Sequence, residues 1–210
     1  MNVFNEQQGQ ITLYAHPGLR ESITTAILLE ILRQPYNIRI VHSVEAIDDV
    51  NARETATSLP AIVDIADSGA KKILNGSEIT EYLLQHYDGE HQFSYKAGSR
   101  EATEVNSWVS FLLETLEGSD AANILSSGET PLARKVLRLY LNVEQHLQET
   151  RTRYIVGNKL TLADLVVFPI AATADSFGLD LERFPEVTGW YNRLMSEYPM
   201  RKAMAGLDPA

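Results

Sequence analysis

The sequence predicts an α/β N-terminal half followed by an all-helical C-terminal half. Within residues 1–88, short apolar runs with strand-like alternation are separated by helical patterns. Within residues 100–210, the apolar residues recur every three or four positions instead, which indicates helices. A polar, glycine-containing stretch at 89–99 predicts a linker between the two patterns. We therefore expect two domains, one over 1–88 and one over 100–210.

The N-terminal half is expected to contain four strands and three helices. Ile23, Ile27 and Ile31 lie four residues apart and predict the first helix. Gly69 belongs to a short turn segment, 67–69, that predicts a hairpin between the last two strands. The second helix is polar and weakly patterned. The predicted strands are 11–14, 37–42, 61–65 and 71–74, and the predicted helices are 21–32, 48–56 and 77–86.

The C-terminal half is helical throughout in its apolar spacing. Two stripes of residues predict two long helices with one buried face each. The first stripe is Val105, Trp108, Val109, Leu112 and Leu116, and the second is Val136, Tyr140, Val143 and Leu147.

Turn and cap residues divide this half further. Residues 126–129 predict a loop, after which Thr130 caps the second of these helices and Pro131 takes its first helical position. Pro185 opens a later helix that carries Trp190 and Leu194.

The most specific local pattern is a helix start at Thr161. Thr161 and Asp164 have the spacing of a capping box, in which each side chain accepts from a main-chain N–H of the other residue. Leu160 and Leu165 have the spacing of a hydrophobic staple. The apolar run that follows indicates a buried helix, which Pro169 is expected to kink.

The composition excludes several classes of function. The 210 residues include no cysteine, so a disulfide, a thiolate nucleophile and a thiolate metal site are excluded. The five histidines show no ligand spacing, and we expect no metal site. A net charge of -10 argues against nucleic acid binding. No apolar run is long enough to span a membrane, and the polar N-terminus is unlike a signal peptide, so we expect a cytoplasmic protein.

Two features of the sequence, and the order in which they occur, resemble the cytosolic glutathione transferase superfamily. The β-α-β-α-β-β-α order of the first half resembles the thioredoxin fold, and Leu59-Pro60-Ala61-Ile62 precedes its hairpin. The capped helix at Thr161 follows roughly a hundred residues later, as in the core helix of that superfamily. The resemblance implies a glutathione transferase fold, with a thioredoxin-like domain followed by an all-α domain, and a glutathione-dependent enzyme.

The resemblance also implies a glutathione site in the first half. Pro60 is expected to be cis, and the main chain of Leu59 to pair with the cysteinyl unit of glutathione. The start of the helix after the hairpin is expected to hold the γ-glutamyl carboxylate. Asn75 and Gly76 occupy the two positions where the family usually has Glu-Ser, and Ser77 comes next. Ser77 as an ordinary helix cap remains an equal alternative.

The resemblance further implies a group near the end of the first strand that activates the thiol of glutathione. The candidates are Tyr14, His16, Arg20 and Ser22, among which the sequence does not decide. A second set of side chains is either helical core or the wall of an apolar acceptor cleft between the domains. This set comprises Trp108, Phe111, Tyr140 and Phe168.

Within the superfamily, three segments look like the transferase-like domain of the gamma subunit of translation elongation factor 1. They are residues 12–17, 105–111 and 150–157. Fungal small-molecule transferases, including ones of secondary metabolism, are similar to that subfamily. Two functions therefore stay open.

The first function is a transferase or isomerase, in which the thiolate of glutathione adds to a hydrophobic electrophile such as an activated alkene or epoxide. The second is a non-catalytic interaction module of a translation assembly. Asn75 and Gly76 in place of the usual Glu-Ser favour the module, whereas the lack of a counterpart to the further C-terminal domain of the gamma subunit favours the enzyme, which we expect. The resemblance also implies a homodimer.

Overall fold

The computed structural model describes residues 11–65, 69–116, 130–172 and 180–207. Its strands and helices follow the predicted order. The strands are β1 (Ile11–Ala15), β2 (Tyr36–Ile40), β3 (Ala61–Ile65) and β4 (Lys71–Asn75). The helices are α1 (Arg20–Ile31), α2 (Val50–Thr55), α3 (Glu78–Tyr87), α4 (Arg100–Leu116), α5 (Thr130–Thr150), α6 (Leu162–Ala171), α7 (Pro185–Ser196) and α8 (Tyr198–Leu207).

The four strands form one mixed sheet in the order β2-β1-β3-β4. β1 is parallel to β2 and antiparallel to β3, and β3 pairs with β4 as an antiparallel hairpin. Side chains alternate between the two faces, since successive residues of a strand point to opposite sides. Leu13 and Ile62 belong to the main hydrophobic core with α1 and α3, whereas Tyr14 and Val63 pack in a smaller cluster that includes Ala52 of α2.

The helical half shares the main core with the sheet. α1 packs against α6 and α8, and α6 also packs against α4. The interior of this half includes Trp190 and Phe168, both of which are fully buried. This packing brings α4 and α6 to the same side of the molecule as the start of α1, and that arrangement creates the site described below.

The capping box at Thr161 is present. The Asp164 carboxylate accepts from the main-chain N–H of Thr161 at 2.9 Å, and α6 begins one residue later. Leu160 and Leu165 belong to the same core cluster, as a staple requires. Pro169 lies inside α6, and the kink expected there stays a prediction.

Other expectations differ from the structure in detail. Pro185 does open α7, but Thr130 is the first helical residue of α5 rather than a residue before it. The helix α8 was not predicted, because its buried positions are few and include Met200 and Ala203, which give a weak apolar pattern. The predicted loop at 126–129 and the first two residues of the 67–69 turn lie outside the described residues.

Candidate active site

A cavity of about 390 Å³ lies where the first half of the chain meets α4 and α6. Three segments of the first half form its polar side: the start of α1, the segment before β3, and the start of α3. The polar side consists of Leu19, Arg20, Glu21, Thr24, Thr25, Ser58, Leu59, Gly76, Ser77 and Thr80. The opposite wall is aliphatic and consists of Val109 and Leu113 of α4 and Leu162 and Val166 of α6.

Leu59 brings free main-chain groups to this cavity. The Leu59–Pro60 peptide bond is cis, as expected. The Pro60 carbonyl accepts a hydrogen bond from Gly76 N–H at 3.1 Å, and this bond holds the segment before β3 against the end of β4. Within the described chain, neither the N–H nor the C=O of Leu59 has a hydrogen-bond partner. An extended ligand in the cavity would meet one donor and one acceptor of the main chain at this residue.

The start of α3 presents further donors. Gly76 has φ +57, a left-handed conformation that glycine adopts at little cost, and it turns the chain from β4 into α3. Ser77 precedes the first helical residue and makes no side-chain cap. The N–H groups at the start of a helix have no intrahelical acceptor and favour an anion. Ser77 thus occupies the cap position of α3 without a side-chain cap hydrogen bond.

Asn75 joins the end of β4 to the segment before β3. Its Oδ1 accepts from the hydroxyls of Thr57 at 2.9 Å and Ser58 at 3.1 Å. These two bonds hold the segment before Leu59 against the end of β4. A Cβ at Gly76 would come within 3.3 Å of Ser58 Oγ, so this packing is tight on both sides of the turn. Asn75 and Pro60 are thus beside the cavity without lining it.

Of the four thiol-donor candidates, the structure brings Arg20 to the cavity. Arg20 is the first residue of α1, its side chain is 7% exposed, and it forms an ion pair with Glu21. Its Nε is fully covered and has no hydrogen-bond partner among the described residues. A buried guanidinium N–H without a partner is costly, and because this Nε is covered, Arg20 meets the cavity through other atoms of its side chain or main chain.

The other three candidates are engaged elsewhere. The Tyr14 hydroxyl donates to Asp48 Oδ1 at 2.6 Å on the α2 side of the sheet. Burial, and then this hydrogen bond to the carboxylate, raises the pKa of Tyr14 to about 12. Ser22 is fully buried and accepts from His16 N–H at 3.1 Å, and the His16 ring accepts from Gly18 N–H at 3.0 Å. These bonds shape the turn between β1 and α1.

The four aromatic candidates for the acceptor pocket do not line this cavity. Tyr140 is buried and donates to the carbonyl of Ala171 at 3.0 Å, and Phe168 is buried and stacks on the Tyr191 ring. Trp108 and Phe111 contact each other edge to face and line a separate open groove of about 690 Å³ along α4 and α5. The helical spacing predicted the apolar faces but not which face meets the first half of the chain.

The aliphatic wall was missed as a site, although its signal is in the sequence. Val109 and Leu113 lie four residues apart on α4, and Leu162 and Val166 lie four apart on α6. Each pair therefore occupies one side of its helix. Leu113 is 55% exposed, which is unusual for a leucine that merely fills a core.

No helix in the described ranges is long and apolar enough to cross a membrane. Among the same residues, histidine, aspartate and glutamate side chains form no cluster suited to a metal ion.

Comparisons with known proteins agree with this architecture. Residues 130–197 match the family model of the glutathione S-transferase C-terminal domain. The chain is 26% identical over 227 residues to the glutathione S-transferase-like protein tpcF of Aspergillus fumigatus, covering 95% of this chain and 97% of that protein. It is 24% identical to the glutathione S-transferase verG of Clonostachys rogersoniana, covering 71% of this chain and 68% of verG.

Two solved structures show the same fold. Ure2p in complex with glutathione superposes with a TM-score of 0.74 at 21% identity, covering 96% of this chain and 95% of that one. A glutathione transferase homologue from Lodderomyces elongisporus, with two glutathione molecules per subunit, gives 0.73 at 23% identity, covering 93% and 97%. The chain thus has the glutathione transferase fold, and the sequence matches support its assignment to that superfamily.

Proposed function

We propose that this chain is a glutathione transferase that binds glutathione along the polar side of the cavity and a hydrophobic electrophile against its aliphatic wall. The free main-chain N–H and C=O of Leu59 at the cavity wall carry this proposal. A peptide-like ligand satisfies both groups at once, as an added strand does at a sheet edge. The fold and the names of the relatives support the same ligand.

The two ends of glutathione would meet different parts of the polar side. Its γ-glutamyl carboxylate would accept from the N–H groups at Ser77, where the helix dipole favours negative charge. Its cysteinyl unit would pair with Leu59, which directs the sulfur toward the start of α1. The main-chain N–H groups of Arg20 and Glu21 lack acceptors in the described chain, so this helix start also favours an anion.

Arg20 would stabilise the thiolate. The thiol of glutathione must lose its proton to react near neutral pH, because the thiolate is the nucleophile. A positively charged guanidinium beside the cavity favours the charged form of a neighbouring sulfur. Arg20 would therefore lower the free energy of the ionised thiol, whose proton passes to water.

The proposed reaction uses these positions. The thiolate adds to the β-carbon of an activated alkene, so a carbon–sulfur bond forms and the π bond breaks. The carbanion then takes a proton from water to give a conjugate, or expels the sulfur again after bond rotation to give an isomer. With an epoxide, the thiolate attacks a ring carbon, the carbon–oxygen bond breaks, and the alkoxide takes a proton from water. The wall formed by Val109, Leu113, Leu162 and Val166 has no polar side chain, so it suits an acceptor with an aliphatic face.

The test is calorimetric titration of the whole protein with glutathione and with S-methylglutathione, followed by turnover of trans-nonenal. We expect both peptides to bind and only glutathione to support turnover. Turnover with the methylated analogue would contradict the thiolate mechanism. If neither peptide binds, the proposal is wrong and the non-catalytic interaction module becomes the favoured function.

We also propose that two copies associate through the groove along α4 and α5 that holds Trp108 and Phe111. The two half-buried aromatic rings lie among polar side chains in this groove, as in the core and rim of an interface that a second copy would cover. Light scattering at micromolar concentration is expected to give twice the 23.5 kDa of one chain. A Trp108→Glu variant should shift the protein to the single-chain mass, and a wild-type protein already at that mass would contradict the dimer.

A further inference from the structure

Pro169 leaves one carbonyl of α6 without its regular partner. A proline inside a helix has no N–H, so the carbonyl four residues earlier loses its intrahelical hydrogen bond. That carbonyl belongs to Leu165, which is 1% exposed. A buried main-chain carbonyl needs a donor from elsewhere in the protein, because water does not reach it.

Thr24 of α1 supplies the missing donor. Its hydroxyl donates to the Leu165 carbonyl at 3.1 Å, in a buried hydrogen bond between residues 141 positions apart. Thr24 is itself 5% exposed. The bond joins the first half of the chain to the helical half at the one main-chain group of α6 that the proline makes available.

This hydrogen bond lies beside the cavity. Thr24 is on its polar side, and Leu162 and Val166 belong to the aliphatic wall of α6. Val166 directly follows Leu165, so a contact that fixes the Leu165 carbonyl also fixes the height and rotation of this part of the wall. The Thr24 bond is therefore one of the contacts between α1 and α6 that set the distance between the two sides of the cavity.

We infer that Thr24 is a positioning residue that holds the α6 wall in register with the glutathione side of the cavity, through a carbonyl that Pro169 frees for it. This inference rests on the proposed function, because it concerns how the acceptor is placed against bound glutathione. The structural half of the inference is that the Thr24 bond depends on Pro169, and this half does not rest on the proposed function.

A double-mutant cycle in the whole protein tests the structural half. Thr24→Val keeps the shape and removes the donor, and Pro169→Ala returns an N–H to the Leu165 carbonyl. We expect Thr24→Val to raise the unfolding equilibrium constant about tenfold, or about 1.4 kcal/mol, when Pro169 is present. In the Pro169→Ala background the same change should cost less than about threefold, since the carbonyl is already satisfied.

Thr25→Val is the matched control, because Thr25 lines the same cavity and no bond joins it to α6. Its effect should be the same in both backgrounds. Thr24→Ser, which retains the hydroxyl, should behave more like wild type than Thr24→Val does. Equal costs of Thr24→Val in the wild-type and Pro169→Ala backgrounds would overturn the inference.

Kinetics with trans-nonenal test the functional half. Thr24→Val should raise the KM for the acceptor about tenfold, because small displacements of a positioned group are costly. The glutathione dissociation constant from calorimetry should stay within about twofold, since the Thr24 hydroxyl donates its proton to the Leu165 carbonyl and not to a ligand in the cavity. A rise in both constants would show a general structural loss and overturn the positioning role. If the wild-type protein does not bind glutathione, the proposed function is wrong. The double-mutant cycle would still test whether the Thr24 bond depends on Pro169.

Discussion

The indole N–H of Trp190 donates to Asp164 Oδ1 at 2.9 Å inside the helical half. The same carboxylate oxygen accepts from Ile155 N–H at 2.9 Å, and the other oxygen accepts from both the N–H and the hydroxyl of Thr161. Asp164 therefore joins the loop before α6, the start of α6 and the middle of α7. Complete burial raises the pKa of this carboxyl, and its four donors act in the opposite direction.

Replacing Asp164 should cost much more stability than replacing Thr161. A lost cap alone costs about 1 kcal/mol, which we expect for Thr161→Ala. Asp164→Ala leaves three buried N–H donors unpaired, and we expect roughly 3 to 5 kcal/mol. Urea unfolding of both variants and of Trp190→Phe measures these costs. Equal costs for Asp164→Ala and Thr161→Ala would mean that the carboxylate acts only as a helix cap.

The local signals in the sequence predicted most of the elements but only part of the site. Thr161 and Asp164 specify a helix start through neighbours in the chain, so their spacing is sufficient to find it. The thiol-donor candidates and the acceptor aromatics depend on contacts between distant segments. Periodicity placed Tyr140 on a buried face correctly, and the apolar run after Thr161 did the same for Phe168. Nothing local distinguishes a face that meets another helix from one that lines a cavity.

Arg20 and Thr24 illustrate the same limit. Arg20 was one of four candidates because the chain order places it after β1, and only the packing of α1 against α6 brings it to the cavity. The link between Thr24 and Pro169 has no local signature, because the two residues belong to different halves of the chain.

Tyr14→Phe should leave turnover unchanged and lower stability. The Tyr14 hydroxyl is bonded to Asp48 away from the cavity, so its loss removes one hydrogen bond to a charged group, worth about 1.5 to 3 kcal/mol. The pKa of Tyr14 is raised to about 12, so this contribution is full below the unfolded-state pKa of about 10 and is lost as the pH rises toward 12. Urea unfolding of both proteins at about pH 8 and about pH 11 measures the change. A larger difference at the higher pH, or a tenfold loss of turnover, would contradict this placement.

Ser77→Glu should weaken glutathione binding at least tenfold. The added carboxylate lies where the γ-glutamyl carboxylate is proposed to bind, and it competes for the same N–H groups at the start of α3. Ser110→Glu is the matched control, because Ser110 is exposed on α4 outside the cavity and adds the same charge. Calorimetry should show unchanged affinity for the control. Equal affinities of the two variants would move the glutathione site away from α3.

Gly157→Ala should be destabilising by about 1 to 2 kcal/mol. Gly157 has φ +70, which costs other residues about this amount, and an added Cβ would lie 2.8 Å from the Tyr95 hydroxyl oxygen. Gly189→Ala in α7 is the opposite case, since an added Cβ meets nothing within 4 Å there and alanine favours a helix. Thermal unfolding should therefore shift in opposite directions for the two variants. A stabilised Gly157→Ala protein would show that the left-handed turn is not retained.

Arg20→Gln should lower turnover of trans-nonenal at saturating glutathione by at least tenfold, about 1.4 kcal/mol of activation free energy. The uncharged side chain no longer favours the thiolate, so the pH at which the rate is half-maximal should rise. Arg20→Lys keeps the charge but loses the planar guanidinium, and its rate should lie between those of wild type and Arg20→Gln. Arg138→Gln on the exposed side of α5 is the matched control and should resemble wild type in both rate and pH profile. If Arg20→Gln binds glutathione normally and keeps both its rate and its pH profile, a different group stabilises the thiolate, and the free N–H groups at the start of α1 are the next candidates.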